Sequence, residues 1–148
     1  MRAVIQRVKR AQVRVAGDVV GDIGEGLCVL LGVTHGDGRP QVKKTARKIA
    51  QLRVLRGPEG DDDARRSAEE AAASVLLVSQ FTLYADVRKG RSPGWSHAAP
   101  GDVAEPLVEA VAEELRKVYG LHVETGEFGA MMDVELVNDG PFTLLVEA

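Results

Sequence analysis

The chain has 148 residues, 45% of them hydrophobic and 28% charged, the profile of one globular domain that buries roughly 70% of its unfolded surface. A formal net charge of −3 argues against a protein that coats nucleic acid by bulk electrostatics, and the single cysteine, Cys28, excludes an internal disulfide or a multi-cysteine metal site. No apolar run approaches the ~20 residues of a membrane helix, and Met1 to Arg7 lacks the apolar region of a signal peptide, so a soluble cytoplasmic protein is expected.

The first third alternates in the manner of antiparallel strands. Val4, Ile5 and Val8 flank polar positions, and Val13 and Val15 alternate with Gln12, Arg14 and Ala16. Gly17-Asp18 is a hairpin-type dipeptide, Val19 to Ile23 follows as a strand, and Gly24-Glu25-Gly26 makes another turn. Leu27 to Val33 is a continuous apolar run, the pattern of a central strand buried on both faces. Cys28 inside it reads as a small buried hydrophobe and not as a nucleophile. After the loop Thr34 to Pro40, Val42, Ala46, Ile49 and Ala50 recur at helical spacing and predict a helix over Gln41 to Leu52. Arg53 to Arg56 reads as a short strand. Gly57 to Ala73, with Pro58, Gly60 and Asp61-Asp62-Asp63, reads as exposed chain with room for a brief helix.

Val75 to Val78 is a strand that ends in Ser79-Gln80-Phe81-Thr82-Leu83. The loop from Tyr84 to Gly101 exceeds the ~12 residues beyond which loops in compact domains tend to be functional or disordered, and its lone Trp95 favours docking. Asp102 and Glu105 have capping-box spacing at the head of a helix whose apolar stripe is Val103, Leu107, Val108, Val111, Leu115 and Val118. Pro106 is tolerable there only near the helix start, and Gly120 stops the helix. Leu121 to Glu124, Met131 to Val137 and Phe142 to Val146 are further strand candidates. About eight strands and two long helices, each with one apolar stripe, predict a single α+β domain over residues 1–148: a curved antiparallel sheet or barrel-like core with the two helices packed on one side.

The chemistry is sparse. His35, His97 and His122 lie in separate segments and form no close-spaced metal motif. Gly21-x-x-Gly24-x-Gly26 lies between strands and lacks the following helix of a dinucleotide site. Ser79, Thr82, Asp86 and His97 contain the residue types of a serine or threonine esterase, but a nucleophile needs a base in hydrogen-bond reach, which sequence proximity does not show. Lys43, Lys44, Arg47 and Lys48, and likewise Arg88, Lys89 and Arg91, read either as solvated faces or as local phosphate contacts. Asn138-Asp139-Gly140-Pro141 reads either as a plain hairpin turn or as a turn that presents backbone carbonyls to a ligand, because proline cannot donate to a sheet ladder.

Met1-Arg2-Ala3-Val4-Ile5-Gln6-Arg7-Val8, Ser79 to Leu83, Arg88-Lys89-Gly90-Arg91, Phe128-Gly129-Ala130-Met131-Met132 and Asn138 to Thr143 follow one another in this order along the chain. By these motifs the chain resembles, over nearly its whole length, the bacterial-type D-aminoacyl-tRNA deacylases. The resemblance implies hydrolysis of the ester joining a D-amino acid, or glycine, to the 3′-terminal adenosine of tRNA, in a cofactor-free and metal-free homodimer with tRNA as partner. It further implies that Gly140 and Pro141, joined in cis, enter the other protomer's pocket, bind the α-amino group and reject an L side chain. Ser79, Gln80, Phe81 and Thr82 then form the facing wall and adenosine pocket, Arg7 supports Gly140-Pro141 from behind, and Thr82 is also a candidate nucleophile beside a route assisted by the ribose 2′-OH.

The chain departs from the family pattern in the acidic and alanine-rich Asp61 to Ala73, in Ser92 and Trp95, and in Phe142 after the Gly-Pro. Two other classes stand beside the enzyme reading: a non-catalytic RNA-binding dimer, and a conventional esterase of small esters.

Overall fold

The computed structural model describes all residues, 1–148. It contains six strands, β1 (Arg2–Val15), β2 (Asp18–Ile23), β3 (Gly26–Gly32), β4 (Ser74–Ser79), β5 (Val123–Thr125) and β6 (Met132–Glu147). The helices are α1 (Arg39–Gln51), the short α2 (Ala68–Ala71) and α3 (Gly101–Lys117), with a 3₁₀ turn over Phe81–Tyr84.

The strands form one sheet in the order β2-β1-β3-β4-β5, with β6 pairing β1 as well. The expected α+β architecture, with its curved sheet and two long helices, is what forms. The sheet is mixed and not antiparallel as expected, because β3 with β4 and β4 with β5 run parallel. Each parallel pair needs a long crossover, and α1 and α3 lie in those crossovers.

Six strands form where about eight are expected, because neighbouring segments fuse and Arg53 to Arg56 does not become a strand. Val4 to Val8 and Val13 to Val15 lie on the single strand β1, and Met131 to Val137 and Phe142 to Val146 join almost entirely into β6. Arg53 to Arg56 makes only an isolated bridge, Leu55 with Arg66.

Two buried clusters explain the curvature. One packs Ala3, Ile5, Val29, Leu31 and Leu77 under Val42, Ile49, Val111 and Leu115 of the helices. The other gathers Val8, Ala11, Val13, Ile23, Cys28, Leu76 and Val78 on the opposite side. Each fully buried Leu, Ile or Val contributes roughly 1.5–3 kcal/mol. In β1 the alternation slips at Arg7-Val8, where both residues are buried, and the pairing with β6 shifts register on either side of Val8. The pattern slips again at Lys9-Arg10, both exposed, and across these irregularities β1 gives Ala3 and Ile5 to one cluster and Val8, Ala11 and Val13 to the other.

The helices behave as their sequences dictate, with one rotation. In α1, Val42, Ala46, Ile49 and Ala50 are buried and the four basic residues are exposed. In α3 the buried residues are Ala104, Val111, Ala112 and Leu115, while Val103 and Val118 are exposed. The expected stripe was displaced because the small Ala104 and Ala112 let α3 approach the core closely. Pro100 precedes α3 and no side chain caps it, so Asp102 sits within the first turn and not at the cap. Within Gly57 to Ala73, Ser67 and Glu70 form a reciprocal capping box that starts α2.

Candidate functional site

The end of β4 is built by packing and finished by free backbone. Val75 to Val78 are buried, whereas Ser79, Gln80 and Thr82 are half-buried and Phe81 is exposed. Gln80 N–H still donates to Leu31 O at 2.8 Å, after which the chain turns into the 3₁₀ turn. The first N–H groups of such a turn have no intrahelical acceptor, and no side chain caps it. The amide donors of Phe81 and Thr82 are thereby left for other partners. Thr82 Oγ1 accepts from Gln80 Nε2 at 2.5 Å.

A cleft of about 590 Å³ opens here, between Ser79 to Thr82 and the segment Phe128 to Met132, with Ala104 and Val108 of α3 alongside. That volume suits a small-molecule-sized group, and most of the lining is apolar. Two motifs far apart in sequence thus meet in one cleft. At the rim Phe81 and Trp95 pack edge to face, ring centroids 5.2 Å apart, and both stay exposed. An adjoining cleft shares Ser79, Val108 and Phe128 but carries Glu105, Glu109, Glu113 and Glu127, a poor seat for phosphate.

The esterase arrangement does not form. His97 lies 3.6 Å from Asp86 and makes no hydrogen bond to Ser79 or Thr82. Asp86 is itself held by Arg88, whose paired hydrogen bonds keep its carboxyl well below the usual carboxylate range. No group of three His, Cys, Asp or Glu side chains comes together in a metal-binding arrangement.

The second segment is a bulge and not a hairpin turn. Gln6 pairs with Thr143 and Val8 with Asn138, so the four residues Asp139, Gly140, Pro141 and Phe142 stand opposite the single Arg7. The Gly140-Pro141 bond is cis, and both residues are exposed. Asn138 holds the bulge shut, its Nδ2 donating to Arg7 O at 2.9 Å and to Phe142 O at 3.3 Å.

Arg7 lies behind the bulge, only 2% exposed. Its Nε donates to Asp139 O at 2.9 Å, its Nη2 to Gly140 O at 3.1 Å and its Nη1 to Val54 O at 3.0 Å. Asp62 accepts a further bond from Nη1 at 2.6 Å, and the guanidinium stacks over Phe142 at 4.6 Å. Asp62 and Asp139 are both held below the usual carboxylate range, Asp62 chiefly by its bond to Arg7 and Asp139 chiefly by its bond to Arg56.

Several supports of the two segments are not visible in the sequence. Arg2 Nη1 donates to Leu83 O at 2.7 Å and its guanidinium stacks over Tyr84, so it pins the 3₁₀ turn. Asn138, Arg56 and Asp62 carry no local signal of these roles, because Asn138 bonds Arg7 131 positions away, Arg56 bonds Asp139 83 positions away and Asp62 bonds Arg7 55 positions away. The one available signal was a proline within a strand-like run.

The two segments do not meet within one chain. Arg7, Leu27 and Val75 share a level of the sheet, and Ser79 lies four residues beyond Val75. About 13 Å along the strands and three strand spacings, about 14 Å, across the sheet therefore separate Ser79 from the bulge.

The model of a family described as D-Tyr-tRNA(Tyr) deacylase matches residues 4–147. The chain is 64% identical to a D-aminoacyl-tRNA deacylase of Kineococcus radiotolerans and 59% identical to one of Beutenbergia cavernae, each match covering 100% of both chains. Among solved structures, it is similar to a c-Myc DNA unwinding element binding protein, with a TM-score of 0.91, 41% identity and coverage of 100% of this chain and 99% of that one. A probable eukaryotic D-amino acid tRNA deacylase shares the fold at a TM-score of 0.86 and 18% identity, covering 98% and 97% of the two chains.

Proposed function

The chain belongs to the D-Tyr-tRNA(Tyr) deacylase family, and from that premise we propose that it hydrolyses the ester of D-aminoacyl-tRNA as a homodimer. The products are free D-amino acid and tRNA. Glycyl-tRNA, including glycine mischarged on tRNA(Ala), is the second substrate, and the role is chiral proofreading in translation.

The observation that carries the dimer is the separation just described. Gly140-Pro141 is exposed at one end of the sheet and the Ser79 to Thr82 cleft opens at the other, so a pocket with both walls needs two chains. The outer edge of β6 is unpaired, and Val134, Val137 and Leu145 on that strand are exposed. A long apolar edge of this kind is ordinarily covered.

In the assembled pocket the carbonyl oxygens of Gly140 and Pro141 accept hydrogen bonds from the substrate's α-ammonium. A carbonyl has two lone pairs, so the bond from Arg7 to Gly140 O leaves one for the substrate. The rigid backbone fills the space an L side chain would occupy, so selection works by exclusion. Glycine lacks the side chain and passes. The Phe81 and Thr82 N–H groups stabilise the oxyanion as water attacks the ester carbonyl, and each such donor is worth roughly 3–4 kcal/mol. The ribose 3′-oxygen leaves with a proton relayed by the neighbouring 2′-OH.

Thr82 is a poor nucleophile in this setting. Its hydroxyl is bonded by the Gln80 amide donor, which cannot take a proton, and no base lies beside it. Lys89 and Arg91 are exposed to meet acceptor-end phosphates, whereas Arg88 is already paired with Asp86.

The test is hydrolysis of D-tyrosyl-tRNA and L-tyrosyl-tRNA by the same preparation. Cleavage of the D form alone is expected, and turnover should vanish when the terminal ribose 2′-OH is replaced by hydrogen. Absence of D-specific turnover would sink the enzyme reading. Loss of activity in Thr82→Ala with the fold intact would restore the covalent route.

A further inference from the structure

One loop grips Gly140-Pro141 from both sides, and nothing in the reaction above uses that loop. Ahead of Gly140, the Asp139 carboxylate accepts from Arg56 Nε at 2.9 Å and from Arg56 Nη2 at 2.8 Å. Behind Pro141, the Phe142 ring lies under two guanidinium groups, Arg7 at 4.6 Å and Arg65 at 5.2 Å. Asp62 ties the two grips together, bonded to Arg7 Nη1 at 2.6 Å and to Arg56 Nη1 at 3.2 Å.

The loop has a defined shape of its own. Leu55 and Arg66 exchange backbone hydrogen bonds at 3.0 and 2.9 Å, Gly57 N–H donates to Asp61 O at 2.8 Å, and Arg66 Nε donates to Arg56 O at 3.2 Å. A loop tied at its base and crossed internally moves as one piece. A forked guanidinium–carboxylate pair fixes orientation as well as distance, which a point charge does not.

We propose that the segment from Arg56 to Arg66 is a positioning element for chiral selection, setting where Gly140 and Pro141 sit against the substrate's α-carbon. Arg56 acts through Asp139 on one flank and Arg65 acts through Phe142 on the other; neither touches substrate. The inference rests on the reading that Gly140-Pro141 selects the D form. Exclusion by fixed backbone is steep in distance, so a displacement of about 1 Å both slows the D substrate and admits the L substrate.

The experiment compares wild type with Arg56→Gln, Arg56→Lys, Arg65→Ala, Asp139→Asn and the double variant Arg56→Gln/Asp139→Asn. Two readouts are used: kcat and KM on D- and L-tyrosyl-tRNA, and amide hydrogen exchange across residues 137–144. In Arg56→Gln the D:L ratio of kcat/KM is expected to fall by about tenfold or more, mostly through kcat on the D form. Exchange across 137–144 should quicken while β3 and β4 are unchanged. Arg56→Lys should recover only part of the loss, and the double variant should be no worse than the worse single one, because the two residues act as a pair. Arg65 is exposed, so Arg65→Ala probes the other flank without threatening the fold.

Unchanged exchange in both Arg56→Gln and Arg65→Ala overturns the proposal. So does faster exchange with a D:L ratio within about twofold of wild type, which would make the loop a mere stabiliser. A wild-type enzyme that fails to distinguish D from L defeats the functional reading instead, and exchange across 137–144 then decides by itself whether the loop holds the segment.

Discussion

Arg7 Nη2 donates to the Gly140 carbonyl oxygen at 3.1 Å, although the two residues are 133 positions apart in the chain. Five residues before Arg7 on the same strand, Arg2 donates to the Leu83 carbonyl. One strand, β1, therefore anchors both segments, Arg2 the 3₁₀ turn beside the cleft and Arg7 the Gly-Pro bulge. Because the strand is paired with β3 continuously from Arg2 to Val8, the distance between the two anchors is fixed by the sheet.

Gly140→Ala separates function from folding. A Cβ built at Gly140 meets nothing closer than Asn138 Oδ1 at 3.6 Å, an ordinary contact. Urea melts should place its stability within about 1 kcal/mol of wild type. Hydrolysis of D-tyrosyl-tRNA should nevertheless fall by about 100-fold or more, because the methyl group intrudes only once substrate and a second copy are present. A variant that is destabilised and inactive in parallel would refute this.

Arg7→Met should do the reverse and unfold the domain more easily. The substitution leaves the Val54, Asp139 and Gly140 carbonyls without their donor and removes one of the two guanidinium partners of Asp62, leaving Arg56. Breaking a buried ion pair costs roughly 3–5 kcal/mol, and Asp62 is 39% exposed, which puts the loss near the lower figure, about 3 kcal/mol. A denaturant midpoint unchanged from wild type would contradict it.

Acid should weaken the same network. Asp139 has its native pKa depressed chiefly by the bond from Arg56, so the ionised form is favoured in the folded state. A depressed carboxylate stabilises above the unfolded value, near about 3.9, and the contribution is lost as pH falls through the lower native value. Asp139→Asn should therefore be less stable than wild type at neutral pH, with the gap narrowing below about pH 4. Thermal melts at pH 7 and pH 3 measure it, and a gap that widens in acid would be the wrong sign.

Cys28 should be silent to thiol reagents in the native protein. It is 1% exposed on β3, and burial pushes its thiol up to about 11, so the reactive thiolate is scarce at neutral pH. A chromogenic disulfide should label it only after denaturation, and rapid labelling of folded protein would show that β3 opens.

Gly26→Ala should be among the harsher single-methyl changes. A Cβ there would stand 2.0 Å from the Ser74 carbonyl oxygen, where β3 and β4 begin their parallel pairing. Backbone cannot yield as a side-chain tip can, so a loss of about 2–3 kcal/mol is expected in chemical denaturation. Wild-type stability would mean that the strands separate there at little cost.

Much of the fold is written in local pattern. Leu27 to Val33 is apolar on both faces and became a central strand; Val42, Ala46, Ile49 and Ala50 became the buried face of α1. These follow because burial depends on side-chain period, which a sequence displays directly. The motifs Ser79 to Leu83 and Gly140-Pro141 were legible too, one as small polar residues after an apolar strand and the other as a proline where a ladder should run. What a single sequence could not show was partnership. Asn138 to Pro141 reads equally well as a turn, and only pairing with β1 on both sides makes it a bulge opposite Arg7. The placement of Ser79 and Gly140 at opposite ends of one sheet, and the grip of Arg56 and Arg65 on the residues flanking Gly140-Pro141, belong to the tertiary structure alone. Contacts between residues 50 to 130 positions apart depend on register and crossover, which no local periodicity records.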